Sequence, residues 1–232
     1  MNKPHRTRRS TLADSRPASG ADRRTRTALT IPQKKYSNEA ISLYIYGRSA
    51  ASMPLLQFLA YYQCIEYFFP LYWNAEMISR VRRTLNDPRS NSDNDKDVNR
   101  LIQMMSTRGK AGAPERDQLQ ATIAGCVDSD EIATFLQCCS EGMTKTLTTK
   151  GYISGVRPLA LHDKENKLTH QVANRLYDLR CRVVHSKEDG GTSQIDVLLP
   201  FSREAERLSA DIVLARFLAQ KAIIASRGGR LV

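Results

Sequence analysis

The 232-residue chain predicts an all-α protein, a bundle of about four long helices with shorter helical additions. Three observations carry that expectation. Apolar residues recur at helical spacing in several separate stretches. Polar segments rich in Asn, Asp, Ser, Gly and Pro divide those stretches. No internal repeat and no glycine-rich phosphate loop breaks the pattern. The length is enough to bury a core, as one large domain with a tail or one domain carrying an insertion.

The first helix is expected over residues 37–51, capped by Ser37 and apolar at Ile41, Leu43, Tyr44 and Ile45, with Gly47 blurring its end. The next stretch, ASMPLLQFLAYYQCIEYFFPLYW, has Ser52 as a plausible N-cap and Pro54 in the first turn, where proline is tolerated. Leu55, Phe58, Leu59, Tyr62, Ile65 and Phe69 form one stripe, thickened by Leu56, Tyr61, Cys64 and Phe68, so other helices should surround this one. Residues 53–73 approach the length of a membrane crossing. Gln57, Gln63 and Glu66 interrupt the run, which favours a buried central helix and no membrane. Pro70 is expected to end or kink it near Phe69. NAEMISRVRRTLN follows, with Met77, Ile78, Val81 and Leu85 inward and Arg80, Arg82 and Arg83 wet.

After the polar break at 86–94, residues 95–160 read as a helical insertion on the side of the bundle, with no chemistry evident in its content. Its short helices run through Val98, Leu101, Ile102 and Met105; through Leu119, Ile123 and Val127; and through Ile132, Phe135 and Leu136 after an Asp128/Glu131 capping pattern. From Lys167 the helical period returns with Leu168, Val172, Leu176, Leu179, Val183 and Val184, ending at the glycines of SKEDGG. TSQIDVLLP is a short strand or an extended loop. One last long helix is expected from Ser202, with Ala205, Leu208, Ile212, Ala215, Ala219, Ala222 and Ile223 inward.

The formal charge of +11 is unevenly placed. Residues 1–36 hold ten of the 35 basic side chains against only Asp14 and Asp22. This tail has few large apolar residues and is expected to be disordered. It suits electrostatic contact with nucleic acid, or service as a solubilising extension, or reflects a misassigned start. No apolar signal region follows its charges, and a cytoplasmic location is expected. The five cysteines, Cys64, Cys126, Cys138, Cys139 and Cys181, make no CxxC or Cys/His cluster. Reduced thiols are expected, with no metal and no cofactor.

The most informative residues are Arg180 and His185, in YDLRCRVVHSKE. Five residues place them about 140° apart on an ideal helix, so they converge only where the helix ends or where two helices meet. Histidine titrates in the range needed for proton transfer, and arginine offers fixed charged donors to phosphate oxygens. The pair suits attack of a ribose 2′-hydroxyl on the adjacent phosphate, leaving a 2′,3′-cyclic phosphate and a 5′-hydroxyl. Spacing alone does not single it out, because a helix-end histidine also serves as a cap. Asp178 and Arg182 are spaced i,i+4 and read as local helix support. Glu66, in the most apolar helix, requires a partner; Arg180, Arg182 or a nearby tyrosine is expected.

YDLRCRVVHSKE resembles the signature of the HEPN superfamily, helical domains of many prokaryotic ribonuclease toxins and defence effectors. SLYIYGRSAASMPLLQFLAYYQCIEYFFP is similar to the opening of an ApeA-like, or methylamine-utilisation-protein-like, HEPN subgroup. The resemblance covers about residues 40–85 and 165–226. It implies a helical homodimer whose two Arg/His helices form one composite, metal-independent RNase site, with Arg180 and His185 catalytic. RNA is the implied substrate. A ribonuclease that is always active would harm its host, so the active reading implies a control: a partner protein, an antitoxin, or a change in the middle insertion. Cys181 stands where the family commonly has Asn, Asp or His, and a thiol is a weak hydrogen-bonding group. A non-catalytic HEPN module for RNA binding, dimerisation or partner contact is the other reading of the same resemblance.

Overall fold

Ten helices, and no strand, make up the described residues of the computed structural model, which are 36–89, 94–106, 114–163, 165–184 and 197–226. In chain order they are α1 (Asn38–Ser49), α2 (Pro54–Glu66), α3 (Phe69–Leu85), α4 (Asp95–Ser106), α5 (Glu115–Cys126), α6 (Ser129–Cys138), α7 (Glu141–Thr148), α8 (Leu168–Val184), α9 (Arg203–Glu206) and α10 (Ser209–Ala225). The all-α class stands. Among the described residues the helices are of modest length, the longest with 17 residues, and four long ones do not stand clearly apart. The basic tail, residues 1–36, lies outside the described residues but for Tyr36.

α1 starts where Ser37 accepts the Ala40 N–H at 3.2 Å. Gly47 lies inside it because the helix rests on α2 there; a Cβ at that position would fall 2.7 Å from the Tyr61 ring. α2 is surrounded as expected, packing on α1, α5, α8, α9 and α10 and burying Phe58, Tyr61, Tyr62, Cys64 and Ile65. Its N-cap is Met53, not Ser52. It also stops at Glu66, one turn earlier than Pro70 suggested. Pro70 instead sits in the first turn of α3, where its missing N–H is no loss. The apolar run of 53–73 is thus divided between two helices, and no helix among the described residues is long and apolar enough to cross a membrane.

α3 buries only its first turn, at Phe69 and Tyr72. Ile78 and Leu85, expected inside, are exposed because the bundle covers the start of α3 and leaves its far end uncovered. α4 likewise exposes Val98 and Ile102.

The largest departure concerns the middle region. α5 is not on the flank: it packs against α3, α8, α10 and α2 and buries Leu119, Thr122 and Ile123. α6 begins with the expected Asp128/Glu131 capping box. α8 buries Val172, Ala173, Leu176 and Leu179, while Val184 is exposed. Residues 197–199 form an extended loop, where the Leu198 N–H donates to the Arg182 carbonyl at 2.9 Å. Phe201 closes that loop with a left-handed φ of 63° and is 92% exposed. The single last helix is two: Ser202 caps the short α9, and the chain turns at Arg207–Leu208 into α10. Ala215, Ala219 and Ala222 are buried in α10, which packs on α2, α5, α1 and α7.

Candidate functional site

α8 carries three arginines with three different surroundings. Arg175 projects from the apolar stripe and is 1% exposed. Its Nε and Nη2 donate to the two oxygens of Asp211 on α10 at 2.6 and 3.0 Å, and its Nη1 donates to the Arg157 carbonyl at 2.7 Å. Arg182, one turn from the helix end, is nearly as buried. Its Nη1 donates to the Ser154 carbonyl at 2.7 Å, and it grips Glu204 of α9 through Nη1 and Nη2 at 2.9 and 3.0 Å. The Arg182 bonds hold the Glu204 carboxyl below its ordinary range.

Arg180 differs. Its side chain is 18% exposed, and its Nε lies 2.9 Å from Oε1 of Glu115, the first residue of α5. An acidic residue suits that position, since it faces the positive end of its own helix. The same Oε1 accepts the Tyr62 hydroxyl at 2.8 Å. Tyr62 is buried in α2, and burial, followed by the Glu115 bond, drives its pKa upward. Glu66 ends α2 one turn further on. Burial raises its pKa, the Glu115 charge adds to that, and Arg180 opposes both. Two carboxylates from different helices thus share the field of the Arg180 guanidinium, at the junction of α2, α5 and α8.

Beside this junction Arg116 donates to Asn174 at 3.2 Å and to Asp178 at 3.1 Å, and its guanidinium lies 4.5 Å from the Tyr177 ring centre. Arg157 also donates to Asp178, at 3.2 Å. Cys181 is partly buried next to Tyr177; burial first, and the thiol second, raise that phenol's pKa.

Several sequence expectations change here. The Asp178–Arg182 pair is not made: Asp178 is taken by Arg116 and Arg157, and Arg182 reaches the bidentate site on Glu204 instead. Glu66 is near Arg180 electrostatically, but the direct ion pair belongs to Glu115. Glu115 and Arg116 come from the middle region, which was expected to carry no chemistry. Their signal was a charged Glu-Arg-Asp start to an otherwise apolar-faced helix. The Arg175–Asp211 pair was also passed over. Each stands among the core residues of its own helix, so two opposite charges on two apolar faces were the clue. His185 lies outside the described residues.

Arginine is a residue type whose charged donors suit phosphate oxygens, and the Arg180 side chain is partly exposed. Among the described residues no group of three or more His, Cys, Asp or Glu side chains is placed to hold a metal ion. No protein-family model, curated protein or solved structure matches the chain.

Proposed function

We propose that the protein is a metal-independent endoribonuclease of the HEPN type, acting as a homodimer, in the role of a toxin or antiviral effector. The observation that carries this reading is Arg180. Its side chain is the most exposed of the three α8 arginines, and it stands five residues before His185. In the reaction His185 takes the proton of the ribose 2′-hydroxyl as that oxygen attacks the neighbouring phosphorus. The bond to the 5′-oxygen breaks, and that oxygen takes a proton from water, to which His185 then returns the one it accepted. Arg180 stabilises the charge that builds on the phosphoryl oxygens. Glu115, itself bonded by the Tyr62 hydroxyl, pairs with the arginine.

Cleavage of single-stranded RNA in EDTA, with 2′,3′-cyclic phosphate ends, is the expected result, and Arg180→Ala or His185→Ala should reduce it by at least about a hundredfold. Intact RNA in every condition that activates the protein would overturn the reading.

The Arg180–Glu115 ion pair favours a second reading, a non-catalytic module in which Arg180 is structural. There RNA stays whole, and Arg180→Ala changes stability alone.

A further inference from the structure

A cleft of about 630 Å³ opens between α3, α5 and the first turn of α8. Small residues form its floor, namely Ala75, Ala121, Ala124 and Gly125, beside the ring of Tyr72. Gly125 is required there, since any Cβ would overlap that ring. Arg80 and Arg83 of α3, with Lys167 and His170 at the start of α8, line it as well.

Glu76 brings the two arginines together. Glu76 accepts from Arg80 Nε at 2.7 Å and from Arg83 Nη2 at 3.3 Å, while Arg80 also lies over the Trp73 ring. Each guanidinium keeps further N–H donors beyond these bonds.

The charge in the cleft is mixed. Glu76 and Asp117 line it as well, against Arg80, Arg83 and Lys167. A dense polyanion running through the whole cleft does not suit that balance. A single phosphate on the cationic side chains, attached to a neutral body rich in hydrogen-bonding groups, does. The volume is also that of an ordinary small-ligand site.

We propose that this cleft binds one nucleotide unit. Its phosphate sits on Arg80, Arg83 and Lys167, and its base or ribose lies over the small-residue floor beside Asp117. The inference stands apart from cleavage at Arg180. The nucleotide is a unit of an RNA strand or a free molecule, and the two sources are separable.

The test is fluorescence anisotropy on the full chain in EDTA with two labelled probes, a 12-nucleotide 2′-O-methyl RNA and a mononucleotide. The methylated strand lacks the nucleophile, so binding is read without cleavage. Arg83→Ala/Lys167→Ala should weaken the bound probe about tenfold and lower its salt slope by roughly one. The exposed control pair Lys150→Ala/Arg203→Ala removes the same charge outside the cleft and should change affinity less than about twofold. Binding of the strand alone assigns the RNA source, and binding of the mononucleotide assigns the free one. If neither probe binds, or if both double variants weaken binding equally, the proposal is wrong. Should the first variant fail to fold, Lys167→Met alone carries the same comparison.

Discussion

Arg175 and Arg180 are five residues apart on one helix, and they show two ways of holding a cation in a bundle. Around Arg175 the accounts of charge and hydrogen bonding both balance: one carboxylate, two parallel bonds, a main-chain carbonyl and almost no water. Arg182 with Glu204 repeats the pattern near the helix end. Around Arg180 the same elements are looser. One carboxylate oxygen serves both Arg180 and Tyr62, a second carboxylate sits close without a direct bond to the arginine, and solvent reaches the group. A balanced buried pair fixes how helices pack. A pair shared with a tyrosine and a second carboxylate ties three helices together and keeps its arginine partly at the surface.

The comparison breaks most visibly at Arg175. Arg175→Ala leaves Asp211 buried without its partner and should cost about 3–5 kcal/mol in urea unfolding. A loss under about 1 kcal/mol would mean that the two arginines are not different in kind. Next in size is Glu204→Gln, at about 2 kcal/mol near neutral pH, because Arg182 keeps its charge in a nearly closed site. The folded state holds Glu204 ionised below its ordinary range, so its contribution is present above the unfolded pKa and disappears as pH falls through the folded one. The variant's disadvantage should therefore shrink on acidification.

The smallest effect has the opposite sign. Glu66 binds its proton more tightly when folded, so stability falls as pH rises through its raised folded pKa. Glu66→Gln should be more stable than the parent at neutral pH, by less than about 1 kcal/mol, and the gap should close in acid. Thermal melts across that range would show it, and a parallel pH profile in both proteins would remove Glu66 from the shared field.

Much of the helical layout was legible because periodicity reports directly on which face is buried. The stripes of α2 and α8 and the alanines of α10 read correctly for that reason. Boundaries were harder where one residue fits two roles. Pro70 is as good a start as a stop, and Ser202 caps a helix of one turn as well as a long one. At the candidate site Arg180 was legible and its partner was not. Glu115 is 65 positions away in sequence, and only the placement of α5 inside the bundle brings it to α8. Side-chain reach has the same limit: Arg182 is spaced for Asp178, yet a better-shaped acceptor on α9 takes it.

Phe201 bears on what has shaped this molecule. A bulky residue in the left-handed region costs roughly 1–2 kcal/mol, and at 92% exposure its ring gains almost nothing from burial. Glycine would hold that turn without strain. Durability of the fold alone therefore does not account for the residue at this turn, and exchange for glycine should raise the melting temperature.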